Sequence, residues 1–429
     1  MLILFNRIGC PSVLRWLTIF IAVGVALSHR LDAQDAVQPP PLKAPAGPPK
    51  PAQAIEPPPS FSACSTLSEF LFGKDNAWDK SYDEIEAWKK EHHLLFSVGA
   101  NHWFHIDRDE RIYGNGYGVP TESGTYYWYV GADSSFNVGD GFLKEIGAHL
   151  QFRFRDDAHD KLRAFYRDTY WFYEAYAYAK TAIGTFKAGE IVNEFGIPWD
   201  GTWWEGVPYF DGYKFNPDYG LTWDNVWNFS KVFSIQSAAQ FFLSSNRVSG
   251  AIPNADPEST LGLSDRNKTI LRVVPTWKLN QGMKLEWGMS GLVGRVKGPT
   301  TIRHDSMRSA FGSDVTLTWN NLTMFGEYID GFGVITPSRY VSGGPSDRID
   351  SLRGGIAYKY GPATFHVNYS RGWDHNPGGH QFVFDPGLNI QVTKNVTLYV
   401  EYVKWDVTNR KGITAKYDDG FELIAVWNL

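Results

Sequence analysis

The stretch that decides the fold is residues 269–293, TILRVVPTWKLNQGMKLEWGMSGLV, in which two alternating runs flank the turn Asn280-Gln281-Gly282. Alternation with period two indicates strands with two unlike faces, and the turn residues predict a hairpin. One face carries Leu271, Val273, Pro275, Trp277, Leu279, Met283, Leu285, Trp287, Met289, Gly291 and Val293. The other carries Arg272, Thr276, Lys278, Lys284, Glu286, Gly288 and Ser290. Charges therefore gather on one side of both strands.

The same alternation of apolar and polar residues continues from about Leu94 to the C-terminus. In the last strand, the residues that share the apolar parity are Phe421, Leu423, Ala425, Trp427 and Leu429. Turn residues at 138–141, 280–282, 320–321 and 360–362 predict short connections, and segments 107–122, 246–267, 297–307, 331–349 and 373–380 predict long ones. Short turns on one side and long loops on the other are typical of outer-membrane β-barrels. We expect an all-β, transmembrane, antiparallel barrel of about 16 strands, with 14 or 18 left open.

Composition favours the same class of protein. Aromatic residues reach 16% and charged residues only 20%, with 17 Trp, 22 Tyr and 28 Phe, and membrane barrels use such rings in two interfacial belts. The net charge of -5 gives no basic footprint for a nucleic-acid partner. A charge at mid-bilayer on the lipid face costs about 2 to 4 kcal/mol, so segregated charges fit a barrel with a polar lumen. A soluble sheet with its apolar face inward stays open as the alternative.

The N-terminal region predicts export. Residues 1–33 place Arg7 and Arg15 before an apolar run that ends in small residues, the order of a signal peptide; an uncleaved anchor is the alternative. We expect residues 34–60 to be a Pro-rich disordered linker, residues 61–92 to be a short helical periplasmic segment with a helix at 81–90, and residues 93–429 to be the barrel. The linker is either a spacer or a tether that contacts peptidoglycan or another periplasmic partner.

Charged and polar residues on the inward parity are the candidate pore-lining residues. They are Gln151, Arg153, Arg155, Glu174, Lys180, Lys187, Arg272, Lys278, Lys284, Glu286, Arg353 and Lys359. Glu174 and Lys180 share their parity with Tyr170, Phe172, Tyr176 and Tyr178. The aromatic loop that contains Trp199, Trp203 and Trp204 predicts either a constriction or part of the aromatic girdle.

Residues 174–198 resemble a known family. Glu174-Ala175-Tyr176-Ala177-Tyr178-Ala179-Lys180, then Gly184-Thr185-Phe186-Lys187-Ala188-Gly189-Glu190, then Phe195-Gly196-Ile197-Pro198 is similar to the pattern of the phosphate-selective porin O and P family. The resemblance implies a 16-stranded outer-membrane channel, a homotrimer and a basic pore. The acidic Glu190 and Glu194 differ from such a pore, so ion preference stays open.

No catalytic or metal site is predicted. His366, Asn368 and Ser370 share the inward parity, but these residue types are also common lining for a pore. We expect no enzyme activity, cofactor or metal. The leading hypothesis is an outer-membrane porin that passes small hydrophilic solutes or ions by passive diffusion, with outer-membrane lipid as its surroundings. An exporter or cell-wall-linked structural barrel is the alternative, and a secreted carbohydrate-binding β protein is the third hypothesis.

Overall fold

The computed structural model describes residues 77–91, 95–107, 111–112, 122–154, 170–197, 217–245, 264–280, 282–297, 306–333, 348–375, 379–409 and 414–428. All belong to one structural unit, Phe61–Leu429. Residues 1–60, on which the predicted signal peptide and Pro-rich linker fall, lie outside the described residues. No helix in the described part of the chain has both the length and the apolar character needed to cross a membrane.

One helix and seventeen strands make up the described residues. Helix α1 spans Ala77–Glu91. The strands are β1 Leu95–Asp107, β2 Arg111–Ile112, β3 Glu122–Asn137, β4 Leu143–Phe154, β5 Tyr170–Thr181, β6 Gly184–Val192, β7 Pro217–Asn228, β8 Phe233–Ser245, β9 Ser264–Asn280, β10 Met283–Lys297, β11 Ser306–Trp319, β12 Leu322–Phe332, β13 Arg348–Tyr360, β14 Ala363–Asp374, β15 Gly379–Thr393, β16 Val396–Asn409 and β17 Thr414–Asn428.

The sheet closes on itself. Each long strand pairs antiparallel with its sequence neighbours, and β1 pairs with both β3 and β17. The two-residue β2 pairs only at the edge of β17 among the described residues, so the ring has 16 long strands. The predicted barrel and strand number are confirmed. A closed ring leaves no unpaired edge, and this is how the apolar terminal strand is accommodated.

The connections are asymmetric, as predicted. The turns at 138–142, 281–282, 320–321 and 361–362 all lie at the end of the barrel where the terminal strand finishes. Longer connections join the strands at the other end, including 155–169, 193–216, 246–263 and 333–347. We refer to these as the short-turn end and the long-loop end.

The two faces of the wall also match the sequence pattern. On β17, Phe421 is 59% exposed and Leu423 is 44% exposed, whereas the intervening Glu422 is 4% exposed and Ile424 is fully buried. The same contrast separates outward Leu271 from inward Ile270. The apolar parity therefore faces outward, and the charged parity faces the interior.

Two local expectations were wrong. Helix α1 begins at Ala77 rather than at Ser81, so Ser81 lies within the helix. On β5, Phe172 does not share the inward face with Glu174. The β4–β5 register passes from Gln151↔Glu174 to Phe152↔Phe172, and the extra residue Tyr173 forms a bulge there. Residues before a bulge alternate in the opposite sense to the residues after it. Phe172 therefore faces outward, and its side chain is 38% exposed.

Candidate functional site

The chain enters the barrel interior directly after β6. Residues Asn193–Ile197 leave the wall and pack against the inward face of β8, β10 and β12. We call Asn193–Ile197 the inward segment. A polypeptide segment inside a wide barrel narrows the lumen, so it is the natural candidate for a constriction.

Three strands hold the backbone of the inward segment. The amide of Glu194 donates to Gln240 Oε1 at 2.7 Å, and the amide of Gly196 donates to Ser290 Oγ at 3.1 Å. The amide of Ile197 donates to Glu327 Oε1 at 2.7 Å. Buried backbone donors need partners, and side chains of the wall provide them here.

An apolar patch inside the barrel receives the ring of Phe195. This patch is made of Ile191, Phe242, Ile270, Leu292, Ala310, Ile329 and Ile349. Gly312 lies beneath the ring, because a Cβ there would be 3.1 Å from ring atoms of Phe195. Gly196 has φ 72°, the left-handed region, and the chain bends there, directly after Phe195. The Phe-Gly pair is thus an anchor followed by a turn.

Two predicted pore-lining arginines support the anchors. Arg272 forms a bidentate pair with Asp314 at 2.7 and 3.0 Å, and it also donates to Ser290 Oγ at 2.8 Å. Arg353 Nε lies 3.2 Å from Glu327 Oε2, and both side chains are almost fully buried. Charge-assisted contacts of this kind fix the positions of the groups they join. The arginines therefore position the acceptors that hold the inward segment.

The inner wall formed by β3–β7 carries charges of both signs. Glu174 Oε2 lies 3.6 Å from His149 Nε2, and Lys187 Nζ lies 3.6 Å from Asp224 Oδ1. The guanidinium of Arg153 lies 3.3 Å from the centre of the Tyr173 ring. Its Nε donates to Gln151 Oε1 at 2.8 Å. The wall therefore offers fixed positive and negative groups side by side.

Glu194 connects the inward segment to that wall electrostatically. Burial raises the pKa of Glu194 above its ordinary value of 4.5, and the positive charges of Lys187 and Arg272 act in the opposite direction. Glu194 follows the end of β6 and so lies outside the strands. The segment that narrows the lumen therefore carries an ionisable group.

The remaining predicted residues lie towards the short-turn end. Lys180 pairs with Glu145 at 3.0 Å, and Lys284 pairs with Glu286 at 2.8 Å. Lys278 and Lys359 are exposed on the inward parity near the same end. Arg155, Trp199, Trp203 and Trp204 lie outside the described residues. The structure therefore places Glu174, Lys187 and Arg272 within electrostatic reach of Glu194, and Arg353 beside Glu327, which binds the inward segment. Gln151 lies opposite Glu174 on the neighbouring strand and binds Arg153. The other described residues, Lys180, Lys278, Lys284, Glu286 and Lys359, lie towards the short-turn end.

Sequence reasoning missed the residues that bind the inward segment. Gln240, Ser290 and Glu327 are separated from their partners by 46, 94 and 130 positions. The Phe195-Gly196 motif was the one sequence feature that could have indicated the inward segment, since it combines an aromatic anchor with a residue that allows positive φ. Nothing local in the sequence identifies the acceptors.

A second polar group lies on β14–β16. His366, Asp385 and Glu401 are buried, and one donor atom from each lies within 4.8 Å of the others. An imidazole with two carboxylates is a donor set that zinc and similar cations accept. His366 Nε2 is also 3.5 Å from Glu401 Oε1, the geometry of an ion pair when the imidazole is protonated. The group can therefore be explained without a metal.

Comparison with known proteins supports the fold. No protein-family model matches the chain, and no relative was found among curated proteins by sequence. Similar solved structures include the outer-membrane channel DcaP of Acinetobacter baumannii, with TM-score 0.54, 12% identity, and coverage of 78% of this chain and 97% of that one. The fold is that of the outer-membrane porins.

Two further structures share this porin fold. Salmonella typhi OmpF gives TM-score 0.55 at 13% identity, covering 78% of this chain and 97% of that one. Pseudomonas putida OprB gives 0.55 at 11% identity, covering 81% and 97%. The phosphate-selective porin O and P family is not confirmed by these comparisons, and it remains a resemblance.

Proposed function

We propose that the protein is an outer-membrane porin, a passive channel for small hydrophilic solutes or ions. The observation that carries this proposal is the inward segment, which is bonded to three strands and lies inside a closed 16-strand ring. A barrel of this size leaves an aqueous lumen, and an inward segment limits what passes through it. No bond chemistry is needed for this activity.

Selection by size and charge follows from the groups around the segment. Glu174, Glu194, Lys187 and Arg272 place both signs within one region of the lumen. Fixed charges at a constriction sort ions by sign and orient polar solutes. This favours a mixed-charge filter over the uniformly basic pore that the family resemblance implies.

The other predicted parts belong to the same proposal. Residues 1–33 would direct export, and residues 34–60 would act as a spacer or a periplasmic tether. A homotrimer is implied by the resemblance. One structure with the same fold, an outer-membrane protein of Vibrio cholerae, is described as a trimer form; its TM-score is 0.53 at 13% identity.

Planar-bilayer recording of the purified, folded protein tests the channel. We expect stepwise conductance that grows with salt concentration, and liposome swelling that declines as the test sugar becomes larger. Heat-denatured protein is the control. A folded, membrane-inserted barrel that gives no current above this control would contradict the proposal.

A further inference from the structure

An unusual pair of like charges lies on the outward face near the long-loop end. Arg266 of β9 and Arg295 of β10 are direct cross-strand partners, and both are exposed. Like charges directly opposite each other destabilise a sheet. Two guanidinium groups in this arrangement suit an anion that binds to both.

A backbone irregularity brings the two arginines together. The β9–β10 register passes from Val293↔Thr269 to Arg295↔Arg266, so β9 contains one extra residue. In a regular ladder, Arg266 would keep the inward parity of the buried Lys268. The bulge turns Arg266 to the outward face that Arg295 occupies.

The bulge requires a strained residue. Asn267 has φ 47°, which is uncommon for a residue other than glycine, although asparagine tolerates it better than most. The β7–β8 register shifts at the same level, from Gly220↔Phe242 to Tyr219↔Ser244, so β8 also contains an extra residue there. The β8–β9 pairing between the two bulges stays in register, with Ser244 opposite Arg266. Bulges often re-aim side chains at functional positions.

The outward-facing neighbours of the two arginines on β10 and β11 are apolar. Val293, the next residue below Arg295 on the same face, is 50% exposed, and Met307, the partner of Arg295 on β11, is 60% exposed. Neither guanidinium has an ion-pair or hydrogen-bond partner among the side chains that the structure describes. The pair thus lies where an apolar belt ends, two residues from the loop at the end of β10.

We propose that Arg266 and Arg295 bind a phosphate group of a phosphorylated outer-leaflet glycolipid. The proposal rests on the proposed outer-membrane function, since long loops of such barrels face the exterior and this end of the outward face meets the outer leaflet. Guanidinium groups bind phosphate oxygens in a bidentate manner. One phosphate held between two arginines removes their repulsion.

Binding of lipid A to the full-length barrel in detergent tests this site. Three probes are compared: lipid A with both phosphates, its fully dephosphorylated form, and inorganic phosphate as a competitor. For Arg266→Gln/Arg295→Gln we expect binding of the phosphorylated lipid to weaken by at least about tenfold. The matched Arg266→Lys/Arg295→Lys variant keeps both charges and should retain more of the affinity. Both single Arg→Gln variants should show intermediate losses.

The outcomes separate the possible partners. Equal binding of phosphorylated and dephosphorylated lipid, or unchanged binding by the double variant, would overturn the proposal. Displacement of lipid A by inorganic phosphate at matching concentrations would also overturn it. If the double variant lost its trimers but kept its lipid affinity, the partner of the arginines would be a second copy of the chain, and the proposal would again be overturned. Channel recordings on the same samples report the proposed porin function separately. Normal currents with no phosphate-dependent lipid binding would defeat this inference alone.

Discussion

Glu194 is the residue whose charge should most affect ion preference. Its carboxylate lies on the inward segment near Lys187 and Arg272, and its raised pKa means that it becomes neutral at a higher pH than an ordinary glutamate. As the pH falls through that raised pKa, the lumen loses one negative charge. We therefore expect cation preference to decline on acidification at a pH above 4.5.

Reversal potentials in a salt gradient measure this effect. Glu194→Gln should lower cation preference at neutral pH and remove that step of the pH dependence. Glu84→Gln, on the exposed side of α1, is the matched control and should behave as the wild type. An unchanged reversal potential in Glu194→Gln would show that this carboxylate does not act on permeating ions.

Phe195 should control the width of the channel through its anchoring role. Truncating a buried Phe to Ala costs about 3 to 5 kcal/mol, and the ring at this position fills the apolar patch inside the wall. Without this anchor, the inward segment should detach from the wall part of the time. We expect Phe195→Ala to give higher and noisier single-channel conductance. Phe142→Ala, on an exposed short turn, should leave conductance unchanged, and equal currents in the two variants would contradict the anchoring role.

The terminal strand β17 closes the ring at the level of whole elements. Trp427 pairs with Ala100 and with Val396, and Tyr129 Oη donates to Asn428 Oδ1 at 2.5 Å. Deleting residues 427–429 removes the end of this seam and exposes strand edges. We expect the truncated chain to fail to insert into the outer membrane, as measured by fractionation and protease accessibility. Substituting Trp427 by Phe keeps the pairing and should insert normally, while normal insertion of the deletion would count against the seam.

Elements also show what a sequence can and cannot predict. The β9–β10 hairpin was predictable because each strand repeats its own alternation, which needs no information from elsewhere. The bulge at Tyr173 was not, because Phe172 and Tyr173 are both aromatic and either could continue the pattern. The course of the inward segment depends on Gln240, Ser290 and Glu327, and contacts over such distances along the chain leave no local periodicity.

The whole molecule is organised by two opposite surfaces, an apolar outer face and a charged interior. Exposed outward residues such as Leu271 and Phe421 contrast with inward Glu401 and Glu422, both buried. In water this arrangement would be unfavourable, since apolar area costs about 25 cal/mol per Å² when exposed. In a bilayer the same arrangement satisfies both surfaces, because each of the 16 long strands has two partners and the outer face meets lipid.

The closed ring should therefore behave as a single membrane-embedded unit. We expect the protein to sediment with membranes, resist extraction by high salt, and migrate faster on denaturing gels without heating than after boiling, because the hydrogen-bonded ring stays folded. Tryptophan fluorescence should be quenched by brominated lipid, since Trp227 and Trp319 are exposed outward. The assignment of the faces would be wrong if the protein were soluble, its tryptophan fluorescence were not quenched, and it migrated the same before and after heating. The apolar side would then belong to a protein interface and the charged side would face water.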